Sequence, residues 1–377
     1  MSKSKTRENR AGPAAYIGAR LARLRGAMAA KKLPALLVTS FADVSYLTGF
    51  EGDDSYLLVL ADGGELLISD SRFEEQIGRE APWIKTYMRQ KPIVPETVGL
   101  LKRLKVSKLG VQAESMTLAV AEGLKKELGG KTKLIPAASV VVNLRHIKDA
   151  EEIAITERAI VIAEEAFEAM KRQLKLGMTE SDMAGLLGYE MRKRGALNSS
   201  FDTIIGINAN ASLPHYRPGD VKLTDGASVL VDWGARYRGY CSDLTRMVFI
   251  NKIDPRIRKI YDIVLKAQVA AIDAIKPNLT GKMIDKVARD IIKKAGYGKQ
   301  FGHGTGHGMG RDIHEAISLS RFSNTTLKPG MVVTVEPGIY LPQIGGVRIE
   351  DDVLVTSDGH RVLSHASKDI ESAIVRI

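Results

Sequence analysis

The sequence is poor in the features that would tie a chain to a membrane or to an oxidising compartment. It contains one cysteine, Cys241, so no disulfide can close within it and a reducing, cytoplasmic setting is expected. No apolar run is long enough to span a bilayer, and the opening MSKSKTRENR carries no apolar signal core. Acidic residues are in deficit, 44 against 55 Lys and Arg, for a formal net charge of +11. Such an excess indicates a nucleic-acid partner only when it gathers on one face. Here the basic residues are spread along the chain, densest in the first 32 residues. A solvated basic surface is therefore expected, with no nucleic-acid or membrane partner. Internal repeats and low-complexity stretches are also absent.

What remains is a globular composition, 44% hydrophobic and 26% charged over 377 residues. That length suggests two domains, each able to bury a core. Residues 1–14 read as a polar, basic tail. Ile17, Leu21, Leu24 and Met28 then recur at helical spacing. An arginine-rich amphipathic start could be a transit peptide, but this helix runs straight into the strand ALLVTS (35–40), as a folded domain would begin. YLLVLA (56–61) and ELLISD (65–70) flank the turn DGG and predict a hairpin. The segment 71–81 reads as a helix, KLGVQ (108–112) as a strand, and TLAVAEGLKKELGG as a helix closed by glycine. This alternation makes an α/β domain, placed at 1–145. The second domain, 146–377, opens with a long helix to about Lys175. Thr179 and Asp182 then form an acidic capping box. Beyond residue 200 come strands and glycine-rich turns, broken by helices near 255–276 and 280–295, an α+β texture.

Several strands of this second domain carry unexpected charge. Asp232 ends VLVD and Asp243 lies in YCSDLTRMV. A carboxylate in an apolar strand is costly to bury unless it is paired or binds a metal, and two brought together at a hairpin repel unless a cation lies between them. On their own they read more readily as two surface aspartates at a turn. The stretch FGHGTGHGMGRDIHE holds His303, His307 and His314, three of the seven histidines, separated by glycines that allow close backbone approach. Imidazole suits divalent transition metals. Glu336 interrupts VVTVEPGIYL, and Glu350 interrupts GGVRIEDDVLV, where it would share a strand face with Arg348, a structural ion pair being the plainer reading of those two. Four carboxylates carry −4, matching two divalent cations at +4, the balance of a two-metal hydrolytic centre. Oxygen-rich ligation favours manganese, with cobalt or zinc as alternatives. Cys241 reads as a small packing residue sharing a strand face with Asp243.

The order and context of these residues resemble the creatinase/prolidase/aminopeptidase P family, over nearly the whole chain. The resemblance implies an α/β creatinase-type N-terminal domain, which includes LLVTSFADVSYLTGF (36–50), followed by an α+β pita-bread catalytic domain. It implies that Asp232, Asp243, His307, Glu336 and Glu350 hold two metal ions. Asp232 would bind one ion in bidentate fashion, Asp243 and Glu350 would bridge both, and His307 and Glu336 would complete the other. His303 and His314 would contact the substrate carbonyl, and Glu336 would pass a proton to the departing nitrogen. His215, in SLPHYRPGD, would line the proline pocket, and Arg348 and Tyr340 would lie beside the ligands, with Arg348 assigned to substrate binding.

The implied activity is hydrolysis of the peptide bond before proline. An aminopeptidase P-like enzyme is the first reading and a prolidase restricted to dipeptides the second. Creatinase is disfavoured because the metal set is complete, and methionine aminopeptidase normally lacks the N-terminal domain. An inactive binding module of the same fold would be expected to have lost ligands, and none is lost. The expected partners are a proline-containing peptide and a second copy in a homodimer.

Overall fold

The computed structural model describes residues 14–377, so the basic tail expected over 1–14 lies, Ala14 apart, outside the described residues. The chain divides into two compact units between Arg145 and His146. In the first, the helix Ala15–Ala30 buries Ile17, Leu21, Leu24 and Met28, the face its spacing predicts. Six strands follow: β1 (Ala35–Val38), β2 (Tyr56–Leu60), β3 (Glu65–Ser69), β4 (Lys85–Met88), β5 (Lys108–Val111) and β6 (Lys133–Pro136). They form one mixed sheet in the order β4-β3-β2-β1-β5-β6. β2 and β3 are the expected antiparallel hairpin, turned through Gly63 and Gly64 at φ 115° and 99°.

Successive strand residues point to opposite faces, and both faces are buried. Leu36, Val38, Leu57 and Val59 pack with the first helix. Ala35, Leu37 and Leu58 pack with Val98, Leu101, Leu124 and Leu128 of helices Ile93–Arg103 and Leu118–Leu128. Each fully buried aliphatic side chain contributes about 1.5–3 kcal/mol, which suffices for a three-layer α/β unit. The helix expected over 71–81 is split into a 3-10 turn, Ser71–Phe73, and the helix Glu74–Glu80.

The second unit opens with the helix Ala150–Lys171, started by a reciprocal capping box between Asp149 and Glu152. The predicted Thr179–Asp182 box starts the next helix, Glu180–Lys193, with both hydrogen bonds made, at 2.8 and 3.0 Å. The later helices are Pro255–Asp273 and Gly281–Lys294.

Fourteen strands complete the unit: β7 (Asn198–Ser199), β8 (Ile204–Ile207), β9 (Ser228–Trp233), β10 (Ala235–Tyr237), β11 (Tyr240–Cys241), β12 (Leu244–Ile250), β13 (Gly306–Gly308), β14 (Glu315–Leu319), β15 (Val332–Val335), β16 (Gly338–Leu341), β17 (Gly345–Arg348), β18 (Asp351–Val355), β19 (His360–Val362) and β20 (Ile374–Val375). They form a four-stranded sheet β20-β12-β9-β8, a five-stranded sheet β14-β13-β15-β18-β19, a three-stranded sheet β11-β10-β7 and the ribbon β16-β17.

The chain steps repeatedly from one of these sheets to another, and the steps correct the expectation that the carboxylates interrupt continuous strands. Asp243 lies between β11 and β12, Glu336 between β15 and β16, and Glu350 between β17 and β18. Each occupies a crossing between two sheets, where no ladder partner or apolar layer claims its side chain. Asp232 is next to last in β9, paired with Thr245 of β12. Cys241 does not share a face with Asp243, because the strand ends after it. Cys241 packs in the core against Trp233 and its neighbours, where burial pushes its thiol up to about 12.

Candidate metal centre

The sheet crossings converge on a cavity of about 490 Å³, lined by Asp232, Asp243, His307, Glu336 and Glu350 together with His215, His303, His314 and Arg348. Two glycines permit the approach. A Cβ at Gly234 would lie 1.9 Å from the Ser242 carbonyl oxygen, and one at Gly306, next to His307, 1.9 Å from that of Thr334. Further backbone bonds fix the ligand-bearing junctions: Glu336 N donates to Thr305 O at 2.7 Å and Glu350 N to Thr245 O at 3.2 Å.

The carboxylates are buried with too little positive charge around them. Burial raises the pKa of Asp243 well above the usual range, and the neighbouring Asp232, Asp352 and Glu336 raise it further. Glu350 is raised well above its ordinary value by burial and then by Asp243, Glu336 and Asp232. Asp232 is raised too, again mainly by burial, although Arg348 opposes the shift. Its Oδ2 receives the Arg348 guanidinium, but its buried Oδ1 has no hydrogen-bond partner. An orphaned buried carboxylate oxygen costs about 1–3 kcal/mol or more, and a cation ligated by Oδ1 would remove that cost.

His307 completes the donor set. Its Nδ1 lies 3.1 Å from the Gly308 carbonyl, which can only accept, so Nδ1 carries the proton and Nε2 presents its lone pair. That Nε2 is 3.4 Å from Asp243 Oδ2 and 3.7 Å from Glu336 Oε1. Ligand atoms of Asp243, His307 and Glu350 all lie within 4.8 Å of one another. Ligand atoms on one ion, each about 2.0–2.2 Å from it, are separated by roughly 3–4 Å. The donor set therefore fits divalent metal, whose charge would offset the mutual repulsion that raises these carboxyls.

Arg348 does not pair with Glu350, as the sequence allowed. Its guanidinium pairs with Asp232 and donates to Thr245 Oγ1 at 3.0 Å, to the Tyr340 hydroxyl at 2.8 Å and to Pro214 O at 3.4 Å. Arg348 ends β17, whereas Glu350 has already entered the crossing, so strand alternation no longer applies. Thr245 Oγ in turn donates to Glu350 Oε2 at 2.7 Å. Burial pushes the Tyr340 hydroxyl up to about 12, so it remains a donor and gives its proton to His303 Nε2 at 2.8 Å. His303 Nδ1 donates to Gly304 O at 2.7 Å. Both nitrogens of His303 are thus engaged, and a hydrogen bond from it to a substrate carbonyl would require one of them to break. His314 is exposed, its ring 4.2 Å from that of His307, and partial burial together with His307 holds its pKa below the ordinary value.

Residues 154–357 match metallopeptidase family M24 and residues 20–147 match the creatinase/prolidase N-terminal domain. The chain belongs to metallopeptidase family M24. Accordingly it is a hydrolase that works with divalent metal, on a creatinase-type α/β domain and a pita-bread catalytic domain. This M24 peptidase is 36% identical over 312 residues to the Xaa-Pro dipeptidase of Pyrococcus furiosus, covering 83% of this chain and 88% of that one. Among solved structures it matches the Xaa-Pro dipeptidase from Bacillus anthracis with a TM-score of 0.90 at 36% identity, over 96% of this chain and 100% of that one. It matches the X-Pro aminopeptidase from Thermotoga maritima MSB8 with a TM-score of 0.88 at 33% identity, over 95% and 100%. Dipeptidases and prolidases recur among the named relatives.

Four residues of the peptidase's site escaped the sequence reading. Thr245 links Arg348 to Glu350, and Asp352 accepts from the Asp243 backbone N–H at 3.1 Å. Asp202 and Arg217 line the cavity. One signal was available, since Arg217 follows His215 by two in a stretch of alternating exposure. Among the described residues no helix is long and apolar enough to cross a membrane.

Proposed function

We propose that this M24 peptidase is an Xaa-Pro dipeptidase holding two divalent ions, manganese foremost, on Asp232, Asp243, His307, Glu336 and Glu350. The observation that carries the reading is the convergence of these five donors in one cavity, three of them buried carboxylates that share a single arginine. Their relatives shift the weight from the aminopeptidase P-like reading, which the sequence suggested first, to the dipeptidase. Bound there, the metal would supply a hydroxide-like water at neutral pH and a Lewis acid for the scissile carbonyl.

The chain's own groups supply the rest. Glu336, at the cavity wall, accepts a proton and passes it to the imino nitrogen as the bond breaks. His314, exposed and free to turn, donates a hydrogen bond to the developing oxyanion. His303, fixed between Tyr340 and Gly304, shapes the wall, and Arg348 holds Asp232 in place. His215 borders the pocket for the proline ring. Proline justifies a dedicated enzyme, since its tertiary amide has no N–H for a general protease to hold and populates cis readily. The protein is expected to act in the cytoplasm as a homodimer.

The test is hydrolysis of Gly-Pro and of Gly-Pro-Gly by manganese-loaded protein. Cleavage of the dipeptide with little release from the tripeptide supports a dipeptidase. The opposite preference restores the aminopeptidase reading, which the Thermotoga maritima likeness keeps as the alternative.

A further inference from the structure

A dipeptide differs from a longer chain at one chemically sharp point, the free carboxylate on its proline. The cavity wall holds two guanidinium groups, Arg348 and Arg217. Arg348 is fully committed to Asp232, Thr245, Tyr340 and Pro214. Arg217 is exposed and has no hydrogen bond or ion pair among the described residues. A substrate carboxylate taken out of water into this cavity is costly unless a cation pairs with it.

The backbone presents Arg217 to the cavity firmly. Residues 213–218 alternate: Leu213, His215 and Arg217 are exposed, whereas Pro214, Tyr216 and Pro218 are half-buried. Pro214, His215, Tyr216 and Arg217 all line the cavity, and of these His215 and Arg217 are the exposed ones. The segment is tethered to Glu180, which is 0% exposed. Its carboxylate accepts from the Tyr216 hydroxyl at 2.9 Å and Gly219 N at 3.0 Å, and also from Ile207 N at 2.7 Å and Asn210 Nδ2 at 2.9 Å. Ser181 Oγ donates to Pro218 O at 3.1 Å, and Arg348 reaches Pro214 O at 3.4 Å. The strap is thus pinned before and after Arg217, while the guanidinium itself is left unpaired. A pre-positioned guanidinium suits bidentate recognition of a carboxylate.

We propose that Arg217 binds the free C-terminal carboxylate of the substrate and so selects dipeptides over longer peptides. This rests on the dipeptidase reading and adds to it the residue that sets substrate length.

The experiment compares metal-loaded wild type, Arg217→Ala and Arg217→Lys on Gly-Pro and on its C-terminal amide. Calorimetric binding of L-proline and L-prolinamide runs beside it. Arg217→Ala should raise KM for Gly-Pro and Kd for proline roughly ten- to hundred-fold, the span of a charge-assisted pair, with kcat within a few-fold. The amides should be unaffected, and Arg217→Lys should recover part of the loss, keeping the charge without the fork. Equal losses on acid and amide, or an unchanged proline Kd, overturn the proposal. Failure of the dipeptidase reading appears separately, in wild type that leaves Gly-Pro intact while cleaving Gly-Pro-Gly. The difference between proline and prolinamide then still decides whether Arg217 holds a carboxylate.

Discussion

Glu350 and Asp351 are neighbours in sequence, both almost wholly buried, yet they meet opposite electrostatic conditions. Around Asp351 the fold supplies its own cations. Arg246 Nη2 donates to Oδ1 at 2.7 Å, Ser364 Oγ to Oδ1 at 2.9 Å, Gln268 Nε2 to Oδ2 at 2.8 Å, and Lys368 pairs with Oδ2. Burial alone would raise this carboxyl, but Arg246 and Lys368 outweigh it and hold the pKa below the usual value. Glu350 faces Asp243, Glu336 and Asp232 instead, and its pKa goes up. A carboxylate that serves the fold comes with its counter-charge, and one that serves chemistry is left short of it, at the cost of stability in the metal-free protein. Between these two neighbours the difference is charge, not burial.

The largest expected effect lies on the deficient side. Asp243→Ala and Glu350→Ala should each lose metal and slow Xaa-Pro hydrolysis by at least ~10²–10³-fold, the cost of losing even a single oxyanion contact. Elemental analysis beside steady-state rates checks this, and full metal content with near-normal turnover would remove these residues from the site.

On the compensated side the loss should be structural. Asp351→Asn strands Arg246 beneath the surface, and breaking a buried pair from one side costs about 3–5 kcal/mol, measurable by denaturant unfolding. The sign with pH follows from the lowered pKa. The contribution of Asp351 is present above the ordinary aspartate value of about 3.9 and fades as pH falls through its folded-state value. The variant should therefore be weaker than wild type at neutral pH and converge with it in acid. A constant gap across that range would show that the carboxylate's charge is not what stabilises.

Smaller effects are expected from the histidines that border the centre without facing the carboxylate oxygens. His215→Ala and His303→Ala should lower turnover roughly 10–100-fold while metal content stays near wild type. Isolation of either variant metal-free would move that histidine into the ligand set.

Much of this was legible in the sequence. The helix face at Ile17, Leu21, Leu24 and Met28 and the Thr179–Asp182 cap were readable because local periodicity and capping chemistry determine them. The four carboxylates could be singled out as candidates because charge in an apolar stretch is unexpected, and the resemblance to a family added His307 to complete the proposed set. What could not be read was how the donors lie in space. Period-two alternation put Glu350 beside Arg348 and Cys241 beside Asp243, and both inferences failed where a strand ended and the chain crossed to another sheet. Those crossings depend on pairings between distant segments, such as β9 with β12 and β15 with β18. The Asp149–Glu152 cap is equally local, although no periodicity or motif drew it out of the sequence.

The contrast between Glu350 and Asp351 is tested most directly by the stability of Glu350→Gln, melted metal-free and again with manganese. Glutamine keeps the size and can still accept from Thr245, but it removes one of the repelling charges. Metal-free, the variant should be at least as stable as wild type. Manganese at about 100 times its Kd should stabilise wild type by about 2.7 kcal/mol and the variant far less. A metal-free variant weakened as severely as Asp351→Asn, yet still taking up manganese with wild-type affinity, would contradict the account and make Glu350 a structural residue.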